Sequence, residues 1–412
     1  MPRRKEQPLE HRLLLTATFC LLAGGAVMVY SASSARTLLE GQGDGTMYLV
    51  KYLTYGSIGL VAMHLLSRYG LENVRKYTPW LVLGAFALML LVLIPGIGLK
   101  INGARRWMGA GPLQFQPSEI MKLALVLHAA AVLSARPKIA RSLKTVLGPI
   151  IGVGGAAVLL IMAQPDLGTS LVICFTMGAM LVAAGVSMRQ LGMVAAVGAF
   201  LVLLFALFEP YRRARLTSFM NPWDHAGTIG FQSVQGQIAL GSGGFFGLGP
   251  GQSVQKIFYL PEAHTDFILA VIGEELGVAG VCGLLFLYGM IGYAGLRTAK
   301  NAKGAYAKLL AVGVTSVVLC QAILNFFAVL GLAPLTGVPL PFISYGNSNL
   351  VVLLGAMGLL LNVAKDGAQA RAGKPLRAIE GGKGSRAASA DSRGRNGGTR
   401  RAGARGRGRA AG

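Results

Sequence analysis

The chain has 412 residues, of which 53% are hydrophobic and only 13% charged. That is about half the charged fraction of a soluble domain, which excludes an ordinary soluble enzyme. The formal charge of +23 invites a nucleic-acid reading, but thirteen Lys or Arg against three Asp or Glu lie from Lys365 to Gly412, so that stretch alone supplies ten of the positive charges.

Apolar runs fall at 13–32, 48–66, 79–95, 117–134, 146–163, 168–186, 190–208, 266–294, 308–330 and 349–364. About 20 apolar residues cross a bilayer. The expected fold is therefore an all-α integral membrane protein of about ten transmembrane helices. The first run is long for a signal peptide and nine more follow it, so it reads as a retained helix. Residues 1–12 form a short N-terminal segment, 13–364 the membrane domain and 365–412 a basic tail. The Gly/Arg/Ala/Ser-rich tail is expected to be disordered and drawn to anionic lipid head groups, each basic residue contributing about 1 kcal/mol near the surface. That reading is preferred to RNA binding by its arginine–glycine run, and no nucleic-acid partner is expected. Cys20, Cys174, Cys282 and Cys320 all lie in apolar runs, so a disulfide framework is not expected and each reads as a small buried apolar residue.

Short-loop Lys and Arg set orientation. Arg3, Arg4, Lys5 and Arg12 precede the first run. Arg68, Arg75 and Lys76, then Arg136, Lys138, Arg141 and Lys144, then Arg297, Lys300, Lys303 and Lys308 occupy later loops. With ten spans all these fall on the side of the tail, which is read as the cytoplasm, with both termini there. The other side receives 100–116, 164–168 and the long segment Glu209–Thr265 between the seventh and eighth runs. That segment holds Trp223, Phe231, Phe245, Phe246 and Tyr259, too many aromatics for a disordered loop, and short helices against the membrane are expected.

Polar residues near membrane depth are costly and are functional candidates by default. Glu119 and Lys122 are three apart, on one helix face. The bland reading is an interfacial capping pair, but Lys122 is a turn deeper than a snorkelling end residue prefers. Asp266 opens a long apolar run after the long loop, with Glu262 and His264 close by. An acid at a helix start is favoured by the macrodipole alone. At the membrane boundary it is also partly desolvated, which helps it accept a proton. Of Glu274 and Glu275, at least one is expected to face the interior. Arg105, Arg106, Arg212, Arg213, Arg215 and Lys256 break the inside bias. An anionic ligand would explain them, and a lipid-linked pyrophosphate fits both the charge and the apolar surroundings.

At these residues the chain resembles the SEDS family (shape, elongation, division and sporulation). The likeness runs to about Ala364 and rests on Val29-Tyr-Ser-Ala-Ser33, Gly103-Ala-Arg-Arg-Trp107, Phe115-Gln-Pro-Ser-Glu-Ile-Met-Lys122 and Gln164-Pro-Asp-Leu-Gly-Thr169, with Gly273-Glu-Glu-Leu-Gly277 and Pro339-Leu-Pro-Phe-Ile-Ser-Tyr-Gly346 further on. Between them, Ser253 to Phe267 includes Tyr259-Leu-Pro-Glu-Ala-His-Thr-Asp266, which favours the division branch over the elongation branch. The resemblance implies a peptidoglycan glycosyltransferase that polymerises lipid II on the outer face of the cytoplasmic membrane, at the division septum. It implies a class B penicillin-binding protein as partner, alongside other division proteins and membrane lipids. The family's essential aspartate falls on Asp266, and its other sensitive positions on Arg106, Trp107, Glu119, Lys122 and Asp166. Arg105, Arg213, Arg215, Lys256 and His264 complete the candidate substrate contacts. Two places depart from the family: Asn347-Ser-Asn349 stands where glycine and serines are usual, and Gln235-Gly236 where Gln-Ser is usual.

The expected mechanism has Asp266 as general base, with inversion at the sugar and an undecaprenyl pyrophosphate leaving group steadied by arginines and a divalent cation (Mg or Mn). A lipid II flippase and a non-catalytic division scaffold are the alternatives. The one-sided polar cluster favours chemistry at one face over a path to both.

Overall fold

The computed structural model describes residues 7–39, 45–101, 103–110, 113–135, 147–208, 218–257, 260 and 262–372. Arg212, Arg213 and Arg215, the basic loop 136–146 and the tail beyond Ala372 lie outside them.

Three helices open the chain: α1 (Leu9–Leu39), α2 (Met47–Leu66) and α3 (Leu71–Leu91). Strands β1 (Gly98–Ile101), β2 (Ala104–Ala110) and β3 (Leu113–Phe115) follow, then α4 (Pro117–Ala135). A π-helical turn, Leu147–Gly152, leads into α5 (Val153–Ala163), then α6 (Leu167–Ala184) and α7 (Met188–Phe208). After the 3-10 turn Trp223–His225 come α8 (Phe231–Ser242), α9 (Ile268–Asn301), α10 (Ala305–Val329) and α11 (Asn347–Ala372). Among the described residues, eight helices are long and apolar enough to cross a membrane: α1 to α4, α6, α9, α10 and α11. The fifth apolar run is a shorter helix over Gly148–Ala163, and α7 covers the seventh.

The bundle is not purely helical. Strands β1, β2 and β3, which overlap the segment 100–116 read as an external loop, form an antiparallel sheet in the order β1-β2-β3. Ile101 pairs with Ala104, and Gly103, just before it, has φ of 81°. Glycine takes such a positive φ without strain.

Burial orders the helices. The apolar windows of α10 and α11 are 78% and 89% buried, against 22% for α2 and α3, so the first pair forms the centre and the second the rim. α10 packs on α4, α6 and α9, and α11 on α2. Apolar side chains left exposed, such as Leu65, Trp80, Leu83 and Phe286, are lipid-facing surface in a membrane bundle. The cysteines correct the sequence reading here. All four are free thiols, with Cys20, Cys174 and Cys282 exposed on the outside of the bundle rather than buried and Cys320 half-buried. In lipid a small apolar thiol is as well placed outside as inside.

Two interruptions of regular structure build the interior. The first is in α9, which breaks at Gly277 (φ 66°, ψ −163°). That conformation is essentially reserved for glycine. The break frees the carbonyls of Glu274 and Glu275, which accept from the amides of Leu248 (2.9 Å) and Gly249 (3.0 Å). In return Val278 and Ala279 donate to the carbonyls of Gly244 (3.0 Å) and Phe245 (3.1 Å). The segment after α8 is thus hydrogen-bonded into the broken helix. Both glutamate side chains are buried there. Glu274 accepts from Ser253 Oγ (2.5 Å) and the Val254 amide (3.0 Å), while Glu275 pairs with Lys256 at 2.7 Å.

The second interruption is the irregular stretch between α10 and α11. Its backbone carbonyls are satisfied by side chains from three helices. Asn325 Nδ2 donates to Val338 O (2.8 Å), Gln321 Nε2 to Pro339 O (2.9 Å), Tyr288 Oη to Pro341 O (2.6 Å) and Tyr52 Oη to Phe342 O (2.5 Å). Non-helical backbone inside a membrane protein persists only where it is buried and so satisfied.

Candidate active site

The stretch Thr336–Gly346 carries the site, because the candidate residues attach to it from several directions. On α4, Lys122 Nζ lies 2.8 Å from Glu119 Oε2, and both residues are 3% exposed. The pair is therefore interior, not an interfacial cap. Lys122 also donates to Gln321 Oε1 at 2.9 Å, and Asn349 Nδ2 donates to the same Glu119 oxygen at 2.8 Å. Gln321 hands the chain of bonds on to Pro339 O. The departure at Asn349 thus supplies a donor to the buried carboxylate. The other departure, Gly236, lets α8 approach α9, since a Cβ there would lie 2.6 Å from the Phe267 ring.

Asp166 caps α6 and is buried. Its carboxylate accepts from the Thr169 amide (3.0 Å), Thr169 Oγ1 (2.9 Å) and Gln116 Nε2 (3.0 Å). Gln116 is fixed in turn by its backbone N–H, which donates to Ser348 Oγ at 2.8 Å. The start of α6 presses on the central stretch at Gly168, where a Cβ would meet Thr336 O at 2.4 Å. Arg106 on β2 reaches the same corner, donating Nε to Gln164 O (2.9 Å) and Nη2 to Pro165 O. Trp107 pairs with Leu99 and Arg105 with Lys100 in the β1–β2 register, and all three β2 side chains, 105 to 107, are half-buried.

Asp266 stands at the rim of this network. It is half-buried, one residue before the Phe267 cap of α9. Its Oδ1 accepts from Thr265 Oγ1 at 3.0 Å, and its main-chain carbonyl accepts from Asn325 Nδ2 at 2.7 Å. The backbone of Gly337 faces its Oδ2, where an added Cβ would stand 3.8 Å away. Glu262 Oε2 lies 3.0 Å from the same Thr265 hydroxyl, so two carboxylates bracket one hydroxyl proton. His264 is stacked in an aromatic cluster, 4.3 Å from the Tyr48 ring and 5.7 Å from Tyr345, whose amide donates to His264 O at 3.0 Å. Burial pushes the Tyr345 phenol up to about 12, so it remains a neutral donor at physiological pH.

The structure therefore gathers Arg106, Glu119, Lys122, Asp166 and Asp266 around one stretch, with His264 at its far end. Lys256 belongs elsewhere. It is buried, and its ammonium is spent on Glu275, Gly251 O (2.7 Å) and Ser31 Oγ (3.1 Å), anchoring the α9 break to α1. Sequence reasoning missed Gln321 and Asn325. Their signal was available, since two amides at i and i+4 in an otherwise apolar run are costly in a membrane.

A helical membrane bundle with a half-exposed carboxylate over a buried polar network defines the class. The chain belongs to the cell cycle protein family of FtsW, RodA and SpoVE, whose model it matches over residues 11–369. It is 40% identical over 353 residues to stage V sporulation protein E of Bacillus subtilis, covering 86% of this chain and 96% of that one. It is also 40% identical over 357 residues to a probable peptidoglycan glycosyltransferase FtsW of Coxiella burnetii, covering 85% and 95%. Among solved structures, it matches a chain from a peptidoglycan synthase complex described as coordinating polymerization and crosslinking. That match has a TM-score of 0.72 and 30% identity, over 86% of this chain and 98% of that one. The Thermus thermophilus rod shape determining protein RodA matches with a TM-score of 0.65 and 29% identity, over 89% and 99%.

Proposed function

We propose that this protein is a peptidoglycan glycosyltransferase that polymerises lipid II on the outer face of the cytoplasmic membrane, with Asp266 as the general base. The observation that carries the reading is the placement of Asp266. It is half-exposed at the rim beside Glu262, while Glu119, Asp166, Glu274 and Glu275 are all buried. Asp266 takes the proton from the acceptor sugar hydroxyl as that oxygen attacks the donor's anomeric carbon. The bond from that carbon to the pyrophosphate oxygen breaks, the configuration inverts, and the lipid pyrophosphate leaves. Positioning of two lipid-anchored substrates supplies much of the rate.

A divalent cation, Mg or Mn, suits the donor set in one way only. Among the described residues no group of three or more His, Cys, Asp or Glu is placed to hold a metal. Glu262 and Asp266 bracket Thr265, and one or two carboxylates plus substrate phosphates is how Mg is commonly held. Such an ion would neutralise charge on the leaving pyrophosphate.

The septal role, and a class B penicillin-binding protein as the partner transpeptidase, are part of the same proposal. They are supported by the names of the FtsW relatives and by the synthase-complex neighbour. The test is polymer formation from lipid II by the purified protein, alone and with that transpeptidase, with and without divalent cation. Glycan polymer that disappears in Asp266→Asn is the expected result. Transfer of intact lipid II between leaflets without polymer would favour a flippase, and neither activity a scaffold.

A further inference from the structure

We infer that Asn325 is the positioning residue of the proposed base: its amide sets the distance between Asp266 and the Gly337 backbone, and the reaction depends on that distance. Asn325 lies on α10 and is 1% exposed. Its Nδ2 donates at once to Asp266 O (2.7 Å) and to Val338 O (2.8 Å). These carbonyls belong to the two backbone segments that meet at the carboxylate, since Val338 follows the glycine facing Asp266 Oδ2. One amino group therefore clamps the start of α9 to the central stretch.

The orientation of the amide is fixed by chemistry. Asn325 Oδ1 accepts no hydrogen bond among the described residues although it is buried. Turning the amide over would satisfy nothing and would set that oxygen against two carbonyl oxygens. A buried amide kept with one atom unpaired costs stability. That cost is offset by what the other atom holds. The neighbouring Gln321, one turn earlier, repeats the pattern with Pro339 O while its Oε1 is paired to Lys122. The Glu119–Lys122 network thus sits behind the same clamp, steadying the stretch that Asn325 binds.

The inference rests on Asp266 being the base, so the experiment carries its own control. Full-length protein with its partner transpeptidase is assayed for lipid II polymerisation as wild type, Asp266→Asn, Asn325→Asp, Asn325→Ser and Asn325→Gln. An ionised carboxylate donates to neither carbonyl, and a serine hydroxyl to one at most. Displacing a base by about 1 Å costs on the order of a hundredfold. We expect kcat to fall about that far in Asn325→Asp and Asn325→Ser, with KM within about threefold, because substrate binding is untouched. Asn325→Gln keeps both donors and should recover part of the rate. It is also the deciding variant if Asn325→Asp does not accumulate. Wild-type kcat in Asn325→Gln and Asn325→Ser, with Asp266→Asn inactive, overturns the inference while leaving the base in place. A rate loss fully matched by loss of folded protein in thermal melts also overturns it, since the amide would then serve the fold alone. Normal polymerisation by Asp266→Asn sinks the base reading itself.

Discussion

A carboxylate takes a proton from a sugar hydroxyl only if the hydroxyl can reach it, and Asp266 is a half-exposed acid at the rim of the polar interior. Replacing its base oxygen by an amide in Asp266→Asn keeps size and hydrogen bonding. It should remove the base contribution of about a hundred- to ten-thousand-fold while the protein still accumulates and captures the proposed partner transpeptidase. Asp266→Glu keeps the base but moves it by one methylene and should be strongly impaired. Polymer assays on the purified complex check both. Near-normal polymer from the asparagine variant would remove Asp266 from the mechanism. Lys122 acts at one remove. Lys122→Met leaves Glu119 charged and buried, a loss of about 3–5 kcal/mol when a buried pair is broken on one side. It also frees Gln321 Oε1, the link to Pro339. We expect activity to be lost with the protein still in the membrane but melting lower. The double change Glu119→Leu/Lys122→Leu would be nearly neutral for an isolated ion pair. Here it should not be, because Gln321 and Asn349 would both lose buried partners.

Among elements, the break in α9 makes the sharpest prediction. A Cβ at Gly277 would lie 2.5 Å from Phe245 O and 2.4 Å from Gly247 N, in a conformation other residues avoid. Gly277→Ala should lower the melting temperature and loosen the segment after α8, seen as faster hydrogen exchange at Leu248 and Gly249. Gly283, six residues on, has open space around it, so Gly283→Ala should be neutral or slightly stabilising. Equal melting curves for the two variants would mean that the break is not built on glycine. The helices were legible in the sequence because apolar runs of bilayer length have few other readings. The break was not, since Gly273-Glu-Glu-Leu-Gly277 sits inside one continuous apolar run and glycine is common in membrane helices. The sheet was legible in part, because Asn102-Gly103 is a strong hairpin signal set aside in a segment read only for its charges. Of the site, Asp266, Glu119 and Lys122 could be picked out as charges at membrane depth. Lys256 could be picked out too, but its pairing with Glu275 and Ser31 depends on α1 and α9 meeting, which no local pattern specifies.

At the scale of the whole molecule, the start of α1 and the basic α2–α3 and α9–α10 turns converge on one end of the bundle. Glu10, at the start of α1, pairs with Arg297 at 2.8 Å and accepts from Asn301 at 3.2 Å, which joins the N-terminal end to the α9–α10 turn. Arg75 lies over the Tyr306 ring at 5.7 Å, and Asn362 donates to Leu66 O at 3.0 Å and to Tyr69 O. The α2–α3 turn and the second half of α11 therefore reach the same end. Asp266 and the start of α4 gather instead at the opposite ends of α10 and α11, beside Asn325 and Asn349. By the inside bias of short-loop Lys and Arg, the proposed orientation puts the basic end in the cytoplasm and Asp266 on the outer side, where the proposed lipid-linked substrate would be presented. The tail beyond Lys374 is too polar and Gly-rich in sequence to build a packed core, so truncation after Lys374 should leave polymerisation by the purified protein intact. A truncated protein of normal yield that fails to polymerise would give the tail a catalytic part. Orientation is read in a variant with the four cysteines replaced by alanine and one returned at Thr228 or at Lys303, both exposed, the first before α9 in the chain and the second after it. A membrane-impermeant thiol reagent should label Thr228→Cys in intact cells and Lys303→Cys only after lysis. The reverse pattern would put Asp266 in the cytoplasm. Polymerisation on the outer face would then be impossible for this carboxylate, whatever its activity in detergent.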